Sequence, residues 1–160
     1  MNNPVDKIIE YLFVGNAKSL ELNVNYDMIV NCTKDIPFTI SQTTKCIRLP
    51  INDNPDECNK FLYEINNTYV LEHMDYYIKN KRPVLVLVHC SMGIQRSCAL
   101  IACYLVKYNG WTPTDAIHYI KSKRPIAFFG NVNFLETIEA FSFLKVQPYN
   151  QMEFHKDNQY

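Results

Sequence analysis

The stretch that decides the fold of this chain is Val-His-Cys-Ser-Met-Gly-Ile-Gln-Arg-Ser, residues 88–97. It places Cys90 and Arg96 around one glycine, Gly93, with five residues between the sulfur and the guanidinium. An apolar run at 84–88 precedes the stretch, and an apolar helical pattern follows it. A strand, a loop and a helix in this order direct main-chain N–H groups and the helix dipole at one point, which favours an anion. The stretch therefore predicts a phosphate pocket.

Five side chains of this loop have an expected role in the chemistry. Gly93 permits the positive φ that a tightly curled loop needs. Arg96 can donate two hydrogen bonds to two phosphate oxygens. The same positive field favours the thiolate of Cys90, which makes that sulfur a nucleophile. Ser97 can donate to the sulfur and ease its departure when a phosphoenzyme is hydrolysed, and His89 is expected to orient the loop through nearby backbone rather than act as a base.

The residues around the loop favour this functional interpretation over a chance pattern. A cysteine followed six residues later by an arginine is more often a buried thiol and a surface side chain. Here residues 83–88 are apolar and β-branched, as in a buried strand, and residues 97–108 have the pattern of a buried helix that ends at Asn109-Gly110. The residues expected to bind the substrate are Ser91, Met92, Gly93, Ile94, Gln95 and Arg96.

The pattern His-Cys-x-x-Gly-x-x-Arg-Ser resembles the signature of the cysteine-dependent protein phosphatases, and in particular that of the small, atypical dual-specificity branch. The resemblance covers nearly the whole chain. Residues 8–15 resemble the opening strand pair of that family, and residues 26–33 resemble its next core strand. Residues 116–134 resemble its closing part, with one residue more than usual between Arg124 and Phe134.

The resemblance implies an enzyme that hydrolyses phosphotyrosine and phosphoserine or phosphothreonine in proteins through a cysteinyl-phosphate intermediate. Larger tyrosine-specific domains enclose a deep slot, so a shallow pocket is expected in a chain of 160 residues. Relatives that hydrolyse phosphoinositides tend to have lysines in the loop, whereas residues 91–95 are uncharged here. An RNA 5′-triphosphatase, a phosphoinositide phosphatase and a module that binds phosphoproteins without turnover stay open as alternatives.

Such an enzyme also needs a proton donor for the leaving oxygen, and general acid catalysis typically contributes about 10²- to 10⁴-fold. The favoured candidate is Asp53, which follows a short strand as the acid of the family does. Asp56, three residues closer to Cys90, is the alternative. Residues 52–57 are rich in Asn, Asp and Pro, which favour a solvated turn without any catalytic role.

Six cysteines without a Cys-x-x-Cys pair indicate a reducing compartment rather than a disulfide framework. Cys32 follows the strand at 26–31, and its position resembles that of the backdoor cysteine of some relatives. One hypothesis is that Cys32 captures an oxidised Cys90 as a disulfide, and the alternative is a plain core thiol. The four histidines show no metal-ligand spacing, so neither a metal nor another cofactor is expected.

Length and charge limit the remaining possibilities. A chain of 160 residues with 48% hydrophobic residues suffices for one domain, which we expect over residues 1–147, followed by a polar tail at 148–160. Sixteen basic and sixteen acidic residues balance, so bulk charge attracts neither nucleic acid nor a membrane. We found no signal peptide and no membrane-spanning run, and we expect a soluble protein of the cytoplasm, the nucleus or, for a virus, the host cytoplasm. The oligomeric state stays open.

The fold expected from these patterns is α/β, with a central, mostly parallel sheet and helices on both faces. The phosphate loop would then lie at the carboxyl edge of the sheet, where ligands bind in such folds. The expected strands lie near residues 11–14, 28–31, 46–49 and 84–88, and the expected helices near 59–80, 94–108, 114–123 and 133–144.

Overall fold

One five-stranded sheet organises the molecule, for which the computed structural model describes residues 2–39, 43–80 and 83–143. Its strands are β1 (Val5–Ile9), β2 (Leu12–Gly15), β3 (Met28–Asn31), β4 (Lys45–Arg48) and β5 (Val86–His89). They lie in the order β1-β2-β5-β3-β4, with β1 antiparallel to β2 and all other pairs parallel. The mostly parallel sheet is confirmed, and the strand that precedes the phosphate loop lies at its centre.

Helices cover both faces of the sheet, but unequally. The α-helices are α1 (Cys58–Thr68), α2 (Val70–Ile78), α3 (Arg96–Asn109), α4 (Pro113–Lys123) and α5 (Leu135–Phe143), and the 3₁₀ helices are Ala17–Glu21 and Pro55–Glu57. All five α-helices contribute to one core with Val86 and Val88 of β5. On the other face, Leu87 packs with Leu20 of the first 3₁₀ helix. No helix among the described residues is long and apolar enough to cross a membrane.

The helix expected at 59–80 is in fact two helices, α1 and α2, because Tyr69 adopts a left-handed conformation with φ of 54°. Just before the break, the Thr68 hydroxyl donates to the Glu64 carbonyl at 2.7 Å. The interruption keeps apolar side chains of both helices buried, Ile65 in α1 and Leu71 in α2. The apolar pattern of this segment predicts one continuous helix. It does not indicate that the chain changes direction at a single residue between two helices.

The turn between α3 and α4 forms as its sequence predicts. Gly110 ends α3 in a left-handed conformation with φ of 71°. Thr112, the N-cap of α4, accepts a hydrogen bond from the Asp115 amide at 3.1 Å. Trp111 packs edge-on against Tyr119, with 4.8 Å between the ring centroids. The tail expected at 148–160 and the boundary at 147 lie outside the described residues.

Candidate active site

The phosphate loop follows β5 at the carboxyl edge of the sheet and leads into α3. Gly93 has the positive φ that its position predicts, 65°. A Cβ atom at Gly93 would lie 2.9 Å from the backbone carbon and oxygen of Gly15, so any larger residue would collide with β2. The loop is tied to the same strand by a hydrogen bond from the Cys90 amide to the Gly15 carbonyl at 3.3 Å.

The sulfur of Cys90 is buried and is surrounded by hydrogen-bond donors. Its side chain is 2% exposed. The Ser97 hydroxyl lies 3.2 Å from the sulfur, and the Gly93 amide donates to it at 3.3 Å. Cys90, Ser97 and Gly93 are therefore brought together as the sequence predicts.

Several backbone amides of the loop are available to bind an anion. None of the described residues accepts a hydrogen bond from the backbone amides of Ser91, Met92, Ile94 or Gln95. The Nη1 atom of Arg96 donates to the Ile51 carbonyl at 2.8 Å, while its Nε is buried without a partner in the described part of the chain. Loop amides without an acceptor among the described residues, next to the buried Nε of Arg96, are suited to bind an anion.

A buried arginine, Arg124, supports the loop from beneath. Its side chain is 0% exposed and donates from Nε to the Gly93 carbonyl at 2.7 Å. Its Nη1 donates to the Asn3 carbonyl at 2.8 Å and forms an ion pair with Asp6 at 2.7 Å. These contacts keep the Gly93 carbonyl directed away from Cys90, which lets the Gly93 amide face the sulfur. The Cys98 thiol adds a contact to the same carbonyl at 3.5 Å.

Asp53 lies in an exposed turn that begins after β4. The Asn52 backbone amide donates to Glu57 at 2.8 Å, and the Asn52 side chain donates to it at 2.9 Å, which closes the turn around Asp53. Burial alone would raise the pKa of Glu57, but the bonds from Asn52 and the nearby Lys60 and Lys34 outweigh it, and that pKa lies below its ordinary value. The closed turn fixes the backbone on both sides of Asp53.

The carboxylate of Asp53 is held from across the chain by Asn133. The Asn133 side-chain amide donates to Asp53 Oδ1 at 3.0 Å. Asp56, the alternative acid, lies in the exposed 3₁₀ helix Pro55–Glu57, where its backbone amide donates to the Asn54 side chain at 2.9 Å. The structure therefore distinguishes the two candidates, since one carboxylate is oriented by a side chain and the other is solvated.

Gln95, expected only to bind substrate through its amide, also extends its side chain into the segment before α5. It is 5% exposed, and its Nε2 donates to the carbonyls of Asn131 at 2.5 Å and Phe129 at 3.4 Å. Its Oε1 accepts from the Asn133 backbone amide at 3.0 Å. Phe128 has a positive φ of 57° in this segment.

His89 and Cys32 lie buried next to the nucleophile. The Nδ1 atom of His89 donates to the Cys90 carbonyl at 3.4 Å, as expected of an orienting residue. Burial lowers the pKa of His89 to about 4, with a further contribution from Arg48, so the ring is neutral. The Cys32 amide donates to the His89 carbonyl at 2.8 Å. Burial raises the pKa of the Cys32 thiol well above its ordinary value, and the nearby Cys90 raises it further.

Sequence reasoning missed three residues that shape the site, namely Arg124, Asn133 and the side-chain role of Gln95. Arg124 was visible only as part of a helix end, and a buried charge at that place has no signal in a periodic pattern. Asn131 contributes a carbonyl to the Gln95 side chain, whereas Asn133 contacts Asp53. The catalytic roles of Cys90, Arg96 and Asp53 stay predictions.

In the described part of the chain, no group of three or more His, Cys, Asp and Glu side chains could hold a metal ion. All six cysteines are free in the structure.

Comparison with known proteins agrees with this geometry. The family model described as dual specificity phosphatase, catalytic domain, matches residues 12–142. A candidate tyrosine phosphatase of Invertebrate iridescent virus 6, 123R, is 28% identical over 137 residues, which cover 84% of this chain and 89% of that protein. The tyrosine-protein phosphatase yvh1 of Schizosaccharomyces pombe is 26% identical over 171 positions, which cover 96% of this chain but 48% of that protein.

Solved structures have the same fold. The crystal structure of human DUSP28 superposes with a TM-score of 0.77 at 22% identity, over 89% of this chain and 95% of that one. The crystal structure of DUSP15 superposes with a TM-score of 0.74 at 24% identity, over 95% of both chains. The family model matches most of the sequence, and the matched residues include β5, the phosphate loop and α3. The chain therefore belongs to the dual specificity phosphatase catalytic domain family and is a phosphatase.

Proposed function

We propose that this phosphatase hydrolyses phosphotyrosine and phosphoserine or phosphothreonine in proteins through a cysteinyl-phosphate intermediate on Cys90. One observation supports the mechanism most strongly. The Cys90 sulfur is buried between the Ser97 hydroxyl and the Gly93 amide, inside a loop whose amides at residues 91, 92, 94 and 95 have no acceptor among the described residues. A sulfur in these surroundings is suited to attack phosphorus while the amides and Arg96 stabilise the charge on the equatorial oxygens.

In the first step, the Cys90 thiolate forms the S–P bond while the ester P–O bond breaks. Asp53 donates its proton to the departing oxygen, so that an alcohol or phenol leaves instead of an oxyanion. In the second step, water attacks the phosphorus, Asp53 accepts a proton from that water, and the S–P bond breaks. Ser97 donates to the departing thiolate, whose sulfur it already contacts.

The loop residues at the rim of the pocket are uncharged, which favours protein substrates over substrates with several negative charges. Residues 91–95 contain no lysine or arginine, and Met92 is 64% exposed at the loop. Phosphoinositides and RNA 5′-triphosphate ends have several negative charges that a basic rim would bind. Phosphorylated proteins are accordingly the expected partners. The free cysteines fit the reducing cytoplasm, where we propose that the enzyme acts.

The experiment compares wild type with Cys90→Ser on three substrate classes: phosphopeptides, phosphoinositides and triphosphorylated RNA. We expect turnover of phosphopeptides by wild type and none by the variant, together with a phosphorylated-cysteine adduct trapped from wild type by rapid acid quench. Greater kcat/KM on a lipid or RNA substrate would replace the protein assignment. Binding of phosphopeptides with no turnover by either form would favour a non-catalytic recognition module.

Asp53→Asn and Asp56→Asn form a matched pair for the general acid. We expect Asp53→Asn to lower kcat for an alkyl phosphate by about 10²-fold and to flatten the basic limb of its pH profile. Asp56→Asn should leave both unchanged, because its exposed carboxylate has no orienting partner among the described residues. A larger loss in Asp56→Asn would exchange the two assignments.

Cys32 is proposed as the thiol that protects Cys90 from irreversible oxidation. Hydrogen peroxide would oxidise the Cys90 thiolate to a sulfenic acid, and the Cys32 thiol would then displace water to form a disulfide. Cys98, which is also buried beside the loop, is the competing partner. Mass spectrometry after peroxide treatment of wild type, Cys32→Ser and Cys98→Ser separates the two, and a Cys90 sulfinic acid with Cys32 free in wild type would refute the proposal.

A further inference from the structure

We propose that Gln95 is a positioning residue that connects the phosphate loop to the general acid Asp53 through Asn133. This inference rests on the proposed function, since it needs Asp53 to be the proton donor. Two links join the groups. The Gln95 Oε1 atom accepts from the Asn133 backbone amide at 3.0 Å, and the Asn133 side chain donates to Asp53 Oδ1 at 3.0 Å.

The segment that presents Asn133 has little regular structure of its own to fix it. Phe128 and Gly130 both have positive φ, 57° and 85°, and α5 begins only at Leu135. Gln95 satisfies two carbonyls and one amide of this segment from a side chain that is 5% exposed. Because Gln95 immediately precedes Arg96, the segment is fixed relative to the bound phosphate itself.

The bond from Asn133 also selects which oxygen of Asp53 transfers the proton. An amide N–H donates to an oxygen that accepts, so Oδ1 is occupied and the acidic proton resides on Oδ2. Oδ2 is then the atom that protonates the leaving oxygen in the first step and accepts a proton from water in the second. Without this bond the exposed carboxylate can rotate, and neither oxygen is held toward the leaving group.

The Arg96 guanidinium provides a second connection between the phosphate loop and the turn that contains Asp53. The two connections fix different parts of that turn. The Arg96 Nη1 atom donates to the Ile51 carbonyl at 2.8 Å, two residues before Asp53. That bond fixes the backbone where the acid turn begins, whereas Asn133 fixes the carboxylate. Gln95 is therefore expected to affect the orientation of the proton donor more than the binding of phosphate.

The test uses the dependence of kcat/KM on the leaving group. A general acid matters most for a basic leaving group, so phenyl phosphate should be sensitive to the position of Asp53, and an aryl phosphate with an acidic phenol should be insensitive. We expect Gln95→Met, which keeps the volume but removes all three bonds, to lower kcat/KM for phenyl phosphate by about 10-fold, since a small misplacement of a catalytic group costs up to about 10²-fold. The same variant should change the activated substrate less than about 3-fold.

A double-mutant cycle then distinguishes positioning from a general role in the loop. If Gln95 acts through Asp53, Gln95→Met should cost nothing further in an Asp53→Asn background, because the group that it positions is already absent. Asn133→Ala, which removes only the side-chain bond to Asp53, should reproduce the leaving-group pattern, and it decides the matter where Gln95→Met fails to fold. Glu136→Gln, an exposed change at the start of α5, is the control and should show wild-type rates.

An equal loss on both substrates, additive losses in the cycle, or no loss in either variant would overturn the inference. Inhibition by orthovanadate measures the pocket separately, and we expect its affinity to change less than about 3-fold in Gln95→Met, as for a residue that does not bind the anion through its side chain. Weakened orthovanadate binding in parallel with the rates would assign Gln95 to the anion pocket alone. Failure of the proposed function is a different result, since Cys90→Ser would then be as active as wild type.

Discussion

Replacing Arg124 with methionine tests how far the phosphate loop depends on a buried charge. The substitution keeps an unbranched apolar stem and removes the bonds to the Gly93 carbonyl, the Asn3 carbonyl and Asp6. Breaking a buried ion pair by removing one partner costs about 3–5 kcal/mol. Asp6 is 17% exposed at its side chain and can regain some water, so the lower end, about 3 kcal/mol, is expected.

Urea denaturation measures this loss as a change in the free energy of unfolding, and a thermal scan gives a second measure. For a domain of this size about 1 kcal/mol lowers the melting temperature by 2–4 °C, so Arg124→Met should melt roughly 6–12 °C below wild type. Lys121→Met, an exposed change on α4, is the matched control and should stay within about 0.5 kcal/mol of wild type. A loss below about 1 kcal/mol in Arg124→Met would refute the reasoning, since such a value is typical of a surface ion pair.

Three further predictions concern single residues. Gly93→Ala should abolish turnover and cost about 1–2 kcal/mol from its positive φ alone, with a further cost from collision with Gly15, whereas normal kcat/KM and an unchanged urea midpoint would contradict both effects. His89 is neutral in the fold because its pKa is about 4, below the ordinary 6.5, so its contribution to stability is complete above pH 6.5 and is lost as pH falls towards 4, by roughly 3 kcal/mol. Unfolding measured at pH 7 and pH 4.5 should therefore show a smaller loss in His89→Asn than in wild type, and equal losses would exclude this origin. Thr112→Ala should lower stability by about 1 kcal/mol through the lost N-cap, and thermal melts should show no such loss in Thr114→Ala.

The parts of the fold that the sequence predicts are those determined by local patterns. The predicted strand at Met28–Asn31 matches β3 to the residue, because four consecutive buried positions leave little alternative. The positive φ at Gly93 and the end of α3 at Gly110 follow from the one residue type that adopts such conformations without strain. Tyr69 is the opposite case, since it adopts a left-handed conformation that its residue type does not predict.

The residues of the candidate site also divide into those that a local sequence pattern predicts and those that it does not. Cys90 and Gly93 lie in the phosphate loop, and Arg96 and Ser97 begin the helix α3 that follows it, so their spacing along the chain fixes their spacing in the structure. Arg124 meets this loop from 31 residues away, and no periodic pattern indicates such a pairing. Long-range polar contacts depend on how the helices pack, and a single sequence does not contain that information.

The choice between Asp53 and Asp56 shows why the long-range contact decides the chemistry. Both carboxylates are exposed and lie in one turn closed by Glu57, so local sequence and solvent access treat them alike. A general acid differs from a solvated carboxylate in that one of its oxygens is directed at the leaving group. That orientation requires a hydrogen-bond partner that is itself fixed to the rest of the site. Asn133 supplies that partner to Asp53 from a segment that Gln95 attaches to the phosphate loop. Gln95, which immediately precedes Arg96, therefore bears on which carboxylate we propose as the acid, although no spacing rule within the turn at 52–57 would reveal it.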